Sequence, residues 1–551
     1  MASSSSERTE LRNSLHHLPY GAVAQRKTSP GQWIELTLGV RRLKDLPDLS
    51  SLDKVLPSQR KYMTHDELEK SYGSDPAAVA RIEAFARAHH LVVHRSDPGS
   101  ARLTLGGTVA DVSAAFGVTL YNYSHPTLGE FHARTGAVSV PAEVAGDITG
   151  VFGFNNHRIL RREPRFKNAK RASPADKSRP WFMPQELAGI YSFPQANAQG
   201  QSIALLEFGG GVEDSDLKTY FVKIQQPQPE VQVVALDGVS TDPSADPDST
   251  GEVMLDIELV GALAAGAKVV VYFATFDEKG LIDALSAVIS DKANKPAVVS
   301  ISWGWDENQP FQNGILWSPA AIDHVNHSFL AAAHLGITVC VSTGDDGSEA
   351  QIKDGRAHVN FPATSPYVLA VGGTSLHAKK TSKGQDHVTE VVWNDGPGDG
   401  TGGGVSDITP VPDWQKGIVP ASINPGHFAG RAIPDVAANA DPNTGYLVMS
   451  GGKFGIVGGT SASAPLWASL ITRINALIGN PAGNFNALLY SKFGPASESP
   501  GGHESPLRDI VSGNNDTDHL LDGQFSAGKG WDACTGWGVP IGSNLLNALK
   551  G

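Results

Sequence analysis

From residue 179 onward, short apolar runs alternate with helical stretches, and this alternation limits the possible folds more than any other feature of the chain. The runs are rich in β-branched residues, as strands buried on both faces of a sheet are, and they read SIALLEF, KVVVYFATF, AVVSISWG, ITVCVSTG and VLAVGGT. Stretches between them, such as LIDALSAVIS and SFLAAAHLG, have a helical pattern. The alternation predicts an α/β domain with a mostly parallel sheet that helices cover on both faces.

The first 157 residues show a different, smaller-scale pattern. Strands are predicted at 33–38, 91–95, 102–107 and 118–123, and helices at 75–90 and 108–117. This pattern is typical of a modest α+β unit. Because 551 residues exceed what one hydrophobic core usually supports, we expect at least two folding units, an N-terminal domain at 1–157 and a larger one at 179–551.

Residues 158–178, RILRREPRFKNAKRASPADKS, lie between these units and are basic, polar and proline-containing. Such a composition favours an exposed linker that is open to proteolysis. Residues 1–178 carry a net charge of +6 and the remainder −19, within a total of −13, so charge would favour docking of the two units. A nucleic-acid patch is the alternative, but the run lacks interleaved aromatic residues and belongs to an acidic protein, so no nucleic-acid partner is expected.

Ser461 stands where a glycine turn runs into a strongly helical segment, GGTSASAPLWASL. Glycine lets the backbone approach a substrate closely, and the amides at a helix start stabilise developing negative charge. A serine at this place is therefore a candidate nucleophile. The alternative is that Ser461 merely caps the helix.

Glu252 and Asp256 stand four residues apart in the apolar, helix-period segment GEVMLDIELVGALAAG. On a helix they share one face, which continues through Leu259 and Leu263 toward buried surface. Two like charges placed there cost stability, which favours a functional reason for the pair. The alternative is an ordinary acidic helix start that the macrodipole stabilises.

Asp345 follows the strand-like run VCVSTG in a turn that also contains Asp346. Asp and Gly together are typical of a tight loop. The carboxyl end of a core strand is also where open α/β sheets place reactive groups. Asp345 is therefore a third candidate site residue.

With Glu252, Asp256, Asp345 and Ser461 in this order, the sequence resembles the sedolisins, the serine-carboxyl peptidases, and most of all their kumamolisin branch. The resemblance runs from about residue 178 to the C-terminus, through ALLEFGGG (204–211), VSISWG (299–304), VVWNDG (391–396), TGGGVS (401–406) and RAIPDVA (431–437). It implies that Ser461 is the nucleophile, Glu252 the general base, Asp256 its supporting carboxyl and Asp345 the oxyanion-stabilising acid. Glu207 and Trp303 match outer members of the hydrogen-bond network.

The resemblance also implies a subtilisin-like catalytic domain and a ferredoxin-like prodomain. In this family the prodomain folds as a split βαβ unit, covers the active-site cleft and is removed in acid. We therefore expect the chain to be a precursor whose own prodomain inhibits it and assists its folding, with the processing site in the linker 158–178. Peptides and proteins are the implied substrates.

Carboxyl chemistry is consistent with activity in acid. A serine hydroxyl needs a neighbouring base, and none of the eighteen histidines lies in a recognisable catalytic motif. A glutamate base has an unperturbed pKa of about 4.3, which suits an acidic working pH. Only a protonated Asp345 could donate a hydrogen bond to an oxyanion, so acid would also keep that donor in place.

The C-terminal segment contains a possible metal site. Its pattern resembles the sedolisin calcium site, which implies the side chains of Asp509 and Asp532 as ligands, together with the carbonyls of Ile510, Gly528 and Gly530. Carboxylates mixed with backbone carbonyls are the ligands that Ca²⁺ prefers. One structural calcium ion, away from the chemistry, is therefore expected. The loop is about one residue longer than the family pattern.

Two cysteines, Cys340 and Cys534, exclude a disulfide framework. The start of the sequence lacks the apolar stretch of a secretory signal, and no run is long enough to span a membrane, so an extracellular location is inferred from the resemblance alone. We expect a monomer without a membrane partner.

Three other classes compete with the sedolisin interpretation. A Ser-His-Asp hydrolase would show a GxSxG elbow or a subtilisin-type histidine motif, and neither is visible. An aspartic peptidase would need paired Asp-Thr/Ser-Gly motifs, which are missing. A calcium-stabilised binding protein that has lost the chemistry is less favoured because all four reactive positions hold competent residue types.

Overall fold

The computed structural model of the chain describes residues 7–162, 165–167, 181–307, 317–380, 386–494 and 505–551. The N-terminal unit contains nine strands: β1 (Arg8–Glu10), β2 (Val23–Lys27), β3 (Trp33–Val40), β4 (Val92–Asp97), β5 (Arg102–Thr108), β6 (Tyr121–His125), β7 (Gly129–Ala133), β8 (Ser139–Pro141) and β9 (Ile148–Phe152). Its α-helices are α1 (Ser50–Asp53), α2 (His65–Tyr72), α3 (Pro76–Ala88), α4 (Val109–Phe116) and α5 (Ala142–Ala145).

Four of these strands form an antiparallel sheet in the order β4-β5-β3-β9. With α3 between β3 and β4, and α4 between β5 and β9, this is the split βαβ arrangement that the resemblance implied. Both helices begin where the sequence provides a cap, since Asp75 and Thr108 each accept a backbone N–H from the first turn. The sequence prediction was wrong at 118–120, because the strand begins only at Tyr121, where pairing with Lys27 of β2 starts.

Two short strands lie in the linker, β10 (Arg161–Arg162) and β11 (Arg165–Lys167). Linker residues 163–164 and 168–178 lie outside the described residues, so the predicted processing segment is described only in part.

The larger unit contains sixteen further described strands: β12 (Ser202–Glu207), β13 (Glu230–Ala235), β14 (Lys268–Phe273), β15 (Val298–Ile301), β16 (Trp303–Asp306), β17 (Thr338–Ser342), β18 (Asn360–Phe361), β19 (Leu369–Lys380), β20 (Asp386–Val392), β21 (Gly404–Pro410), β22 (Gly430–Ile433), β23 (Val436–Asn439), β24 (Tyr446–Ser450), β25 (Lys453–Gly458), β26 (Leu507–Arg508) and β27 (Val539–Pro540). Its α-helices are α6 (Pro184–Ile190), α7 (Asp214–Ile224), α8 (Pro247–Leu263), α9 (Glu278–Ser290), α10 (Pro319–His334), α11 (Thr460–Ile478), α12 (Asn486–Leu488) and α13 (Gly542–Lys550).

An eight-stranded sheet forms the centre of this unit, in the order β13-β14-β12-β15-β17-β19-β20, with β23 also pairing with β19. All pairs are parallel except β19 with β20. Buried side chains fill both faces of the sheet, with one cluster on the side of α8 and α11 and another on the side of α9 and α10. The predicted mostly parallel, doubly covered α/β sheet is confirmed.

Helices α8 and α11 pack against each other on one face of the sheet. Every residue of α8 from Ser249 to Leu263 is buried, so this helix lies wholly inside the domain, as a helix that is apolar on all sides does. Helix α11 likewise buries Thr460 through Thr472. The two segments that carry the predicted serine and carboxyl residues are thus central elements of the core.

The N-terminal unit docks on the opposite face of the sheet, against α9 and α10. At the contact with α9, Thr37 of β3 donates hydrogen bonds to Asp283, and Lys279 forms an ion pair with Glu35. None of the helices in the described ranges combines the length and apolar character needed to cross a lipid bilayer.

Candidate active site

Three neighbouring strands of the sheet end at the same place, and each delivers a polar residue there. Glu207 is the last residue of β12, Ser302 follows β15, and Asp345 comes three residues after β17. Because β12, β15 and β17 are adjacent and parallel, their carboxyl ends meet at one edge of the sheet. This edge is the candidate site.

Ser461 reaches the edge from the first turn of α11. Gly459 precedes the helix with a φ of 112°, a conformation that favours glycine and lets the chain turn sharply from β25 into the helix. The Oγ of Ser461 donates to the carbonyl oxygen of Ser302 at 3.4 Å. Ser461 therefore points toward the strand ends. It does not cap its own helix, so the alternative interpretation of this serine does not hold.

Ser302 joins the serine to the carboxyl residues of α8. Its Oγ donates to both oxygens of Asp256, at 3.2 and 3.0 Å, and lies 3.3 Å from the carbonyl oxygen of Ser461. Sequence reasoning quoted VSISWG but did not single out Ser302. Its position directly after a predicted core strand was the available signal.

Glu207, at the end of β12, lies near the carboxyl residues of α8. The indole Nε1 of Trp303 donates to Glu207 at 3.0 Å, and both side chains are fully buried. Burial raises the pKa of Glu207 well above its usual value, repulsion from Glu252 raises it further, and the Trp303 hydrogen bond opposes this shift only in part. Glu207 and Glu252 therefore lie close enough to share one electrostatic environment.

Asp256 belongs to the same environment. Burial raises its pKa well above the usual value, the charge of Glu207 adds to the effect, and the hydrogen bond from Ser302 opposes it. Glu252, one turn earlier on α8, is also fully buried. Glu207 and Asp256 thus lie with Glu252 in a buried carboxyl cluster, and burial raises the pKa of both Glu207 and Asp256 well above that of a free carboxyl.

Asp345 contacts the start of α11. Its Oδ1 accepts the backbone N–H of Thr460 at 2.6 Å and the Thr460 hydroxyl at 2.9 Å. The Thr460 hydroxyl is also 3.1 Å from the backbone nitrogen of Gly344, which donates to it. Asp345 is therefore fixed beside the residue that precedes Ser461, at the positive end of the helix.

The described ends of the linker border this site. Strand β10 pairs with β16 at Trp303 and Gly304, and β11 pairs with β25 just before Gly459. Ser461 is completely inaccessible to solvent in this form of the chain. Strand β16 ends at Asp306, and residues 308–316 beyond it lie outside the described residues.

Two pairs of the predicted calcium ligands are hydrogen-bonded near the loop that precedes β27. Asp509 follows β26 and accepts the N–H of Gly530 at 2.8 Å, while Asp532 accepts the N–H of Gly528 at 3.2 Å. Burial raises the pKa of Asp532 to about 6, against hydrogen bonds from Thr535 and Cys534. Within the described ranges, no group of three or more His, Cys, Asp or Glu side chains is placed to hold a metal ion, so backbone carbonyls would have to supply most ligands.

Known proteins share this organisation. Residues 21–157 match the Pro-kumamolisin activation domain, and residues 245–486 match the subtilase family. Kumamolisin of Bacillus sp. (strain MN-32) is 41% identical over 541 residues, which cover 96% of this chain and 94% of that protein. Sedolisin of Pseudomonas sp. (strain 101) is 29% identical over 498 residues, covering 87% and 80%.

A solved structure is also similar. It is Pseudomonas sedolisin, a serine-carboxyl proteinase, complexed with two molecules of pseudo-iodotyrostatin. The TM-score is 0.54 at 28% identity, over 67% of this chain and 97% of that one.

The fold and these matches define a serine-type peptidase with a subtilisin-like domain and an N-terminal activation prodomain. The chain belongs to the sedolisin family of serine-carboxyl peptidases, which are made as zymogens, and it is similar to kumamolisin over nearly its whole length.

Proposed function

We propose that the chain is the precursor of an acid-active endopeptidase that cleaves peptide bonds through an acyl-enzyme on Ser461. The observation that carries the proposal is that Ser302 contacts both residues within a buried cluster of carboxyl groups: its carbonyl oxygen accepts from the Ser461 Oγ, and its own Oγ donates to Asp256. Among the described residues, no histidine forms a hydrogen bond with Ser461. A carboxylate is therefore the base that this site supports.

In the first step, the Ser461 Oγ attacks the carbonyl carbon of the peptide bond, and its proton passes to the carboxylate of Glu252. Asp256 shares a proton with the cluster and sets the basicity of Glu252, so the pair titrates as a unit. Glu207 and Trp303 support this arrangement from the far side.

The tetrahedral intermediate carries a negatively charged oxygen, and a protonated Asp345 donates a hydrogen bond to it. When the intermediate collapses, the C–N bond breaks and the leaving amine takes the proton from Glu252. Water then attacks the ester, again with Glu252 as base, and releases the acid and the free Ser461 hydroxyl.

Self-processing tests this proposal directly. The full chain, incubated at about pH 4, should be cut within 158–178 and gain activity, whereas Ser461→Ala should remain intact. Ser463→Ala is the matched control, because Ser463 lies on the same helix and donates to the Thr460 carbonyl instead. Processing of Ser461→Ala at the wild-type rate would refute the assignment of the nucleophile.

The domain boundaries follow from this proposal: a prodomain at 1–157, a linker at 158–178 and a catalytic domain at 179–551. The pairing of β10 and β11 with strands beside Ser461 supports a linker that obstructs the site until it is cut. The prodomain then acts as an intramolecular inhibitor and folding aid.

One calcium ion would be held by the carboxylates of Asp509 and Asp532 with the carbonyls of Ile510, Gly528 and Gly530. A half-buried carboxylate that follows β26 and a buried one on the glycine-rich loop before β27 are donors that suit calcium. The ion would supply only positive charge that holds the loop together. We also propose that the mature enzyme acts as a monomer outside the cell, where acidic conditions would permit its activity.

A further inference from the structure

One edge of strand β16 pairs with a segment of the linker of this chain. The linker strand β10 pairs with it, Arg161 opposite Gly304 and Arg162 opposite Trp303. The strand directly follows Ser302, which contacts both Asp256 and Ser461. Any group that fixes β16 therefore also fixes a bound peptide relative to the serine.

The other edge of β16 is held by β18. Trp305 pairs with Phe361 and Asp306 with Asn360, and the backbone N–H of Glu307 donates to the carbonyl of Val359 at 2.9 Å. Only two residues of β18 pair with β16, so backbone pairing holds the two strands together over a short length. A buried charged side chain adds a further contact between them.

That group is His358, whose side chain is 2% exposed and which comes two residues before β18. Its Nδ1 lies 3.3 Å from Asp306 at the end of β16, and its Nε2 lies 2.9 Å from Asp354 in the preceding loop. The two carboxylates raise the pKa of His358 to about 9 in spite of burial, so the ring carries a positive charge throughout the acidic and neutral range.

A buried ionic group of this kind adds little stability compared with apolar side chains of the same volume, and its best-attested use is to specify one arrangement of the chain. His358 contacts the carboxylates of Asp354 and Asp306, and Asp306 lies at the end of β16. The charge is thus placed where it restricts β16.

We propose that His358 is a positioning residue for peptide substrates: held between Asp354 and Asp306, its imidazolium fixes the end of β16 and thereby the strand that binds the substrate backbone. The inference rests on the proposed peptidase function. It assigns His358 no part in bond making, so its loss should weaken substrate binding more than turnover.

The experiment compares the processed wild-type enzyme with His358→Gln on two substrates at about pH 4: an octapeptide, and a blocked single-residue ester that is too short to pair with β16. For the octapeptide we expect KM to rise about tenfold, as loss of a charged hydrogen bond does, with kcat changed less than threefold. The ester should be cleaved with unchanged kinetics. The matched control is His427→Gln, because the exposed His427 only contacts the Ser422 carbonyl and should behave as wild type on both substrates.

Unchanged octapeptide kinetics, or equal losses on both substrates, would overturn the inference, since a merely structural residue would affect the two alike. If His358→Gln does not accumulate as folded protein, Asp354→Asn provides the same comparison from the outer side of the ring, with an expected threefold rise in KM for the octapeptide only. A wild-type enzyme without acid peptidase activity would instead contradict the proposed function itself.

Discussion

Two groups of carboxyl side chains in this molecule differ in the charge of the side chains that they contact. At the prodomain interface, Asp283 is 1% exposed but lies 2.7 Å from the ammonium of Lys279, which also contacts Asp237 at 2.8 Å and Glu35 at 3.3 Å. In the active-site cluster, Glu207 and Asp256 are equally buried, yet they accept hydrogen bonds from the neutral side chains of Trp303 and Ser302. The first group surrounds a cation, whereas Glu207 and Asp256 accept hydrogen bonds from neutral groups.

The difference separates an arrangement that stabilises the precursor from one that serves chemistry. Carboxyl groups whose pKa is raised on folding stabilise the folded state most below their unfolded pKa, about 4, and this contribution is lost as the pH rises through the raised value. The active-site cluster therefore matches acidic conditions. At the interface, burial raises the pKa of Asp283 to about 7 and the charge of Lys279 opposes that rise, while the same charge lowers the pKa of Asp237.

The largest expected effect comes from the active-site cluster. Glu252→Gln and Asp256→Asn should each lower kcat/KM for a peptide by about a hundred- to ten-thousandfold, because proton transfer from Ser461 is impaired, without lowering the melting temperature. The variants are first matured with an added protease that cuts the basic linker.

The matched control for this prediction is Glu258→Gln. Glu258 lies on the same helix, is fully buried with its pKa raised by burial, and accepts the Met449 N–H at 2.9 Å. If Glu258→Gln lost as much activity as Glu252→Gln, the special role of the active-site cluster would be refuted.

Asp345 should have the next largest effect. Asp345→Ala removes the proposed donor to the oxyanion and should lower kcat about a hundredfold, with a smaller change in KM. Thr460→Ala removes one of the contacts that Asp345 makes but leaves the carboxyl in place, so it should cost much less. Steady-state kinetics at pH 4 on both matured variants would decide, and equal losses would indicate that Asp345 only holds the start of α11.

Lys279 tests the other half of the comparison. In the uncut Ser461→Ala precursor, Lys279→Met should lower the free energy of unfolding at pH 7 by about 3 kcal/mol, because it leaves the buried Asp283 without its cation. Chemical denaturation measures the change. Lys292→Met is the control: that lysine pairs with Asp66 and Glu69 at the surface and should show no measurable change. If Lys279→Met lowered the free energy of unfolding no more than Lys292→Met does, the proposed role of Lys279 at the prodomain interface would be contradicted.

The smallest expected effect concerns His324 of α10, which packs against Gly39, Gly150 and Phe152 of the prodomain. Burial and then the charge of Arg102 lower its pKa well below the usual value, with smaller contributions from His327 and Arg42. Its neutral form thus stabilises the docked precursor, and this contribution is lost as the pH falls below about 6.5.

His324→Gln in the Ser461→Ala precursor should therefore reduce the loss of stability between pH 7 and pH 4 by about 1 kcal/mol. His327→Gln, a change at an exposed residue on the same helix whose charge contributes only a small part of the His324 pKa shift, should change the pH dependence much less. Denaturation curves at both pH values provide the comparison, and an identical acid sensitivity in both variants would argue against His324 as a contributor.

Much of this organisation could be predicted from the sequence because it depends on local patterns. The helical period around Glu252 and Asp256, and the glycine turn before Ser461, specify α8 and the start of α11 without reference to the rest of the chain. The order of strand and helix in the first 157 residues gave most of the prodomain sheet. Glu207 and Trp303 were assigned through resemblance alone, since nothing in their immediate sequence predicts a contact.

Long-range contacts account for what sequence reasoning missed. Ser302 bridges Asp256 and Ser461 only because a strand end, a central helix and a third segment converge, and no spacing along the chain encodes that. The same holds for Asp306, His358 and Asp354, whose ion pairs depend on how a loop folds back on β16.

The pH dependence of kcat/KM for the processed enzyme on a peptide substrate tests the central claim most directly, because a carboxyl base and a protonated Asp345 both depend on acid. We predict a maximum on the acidic side and a steep fall toward neutrality. A maximum at neutral or alkaline pH would contradict catalysis by a serine and carboxyl groups.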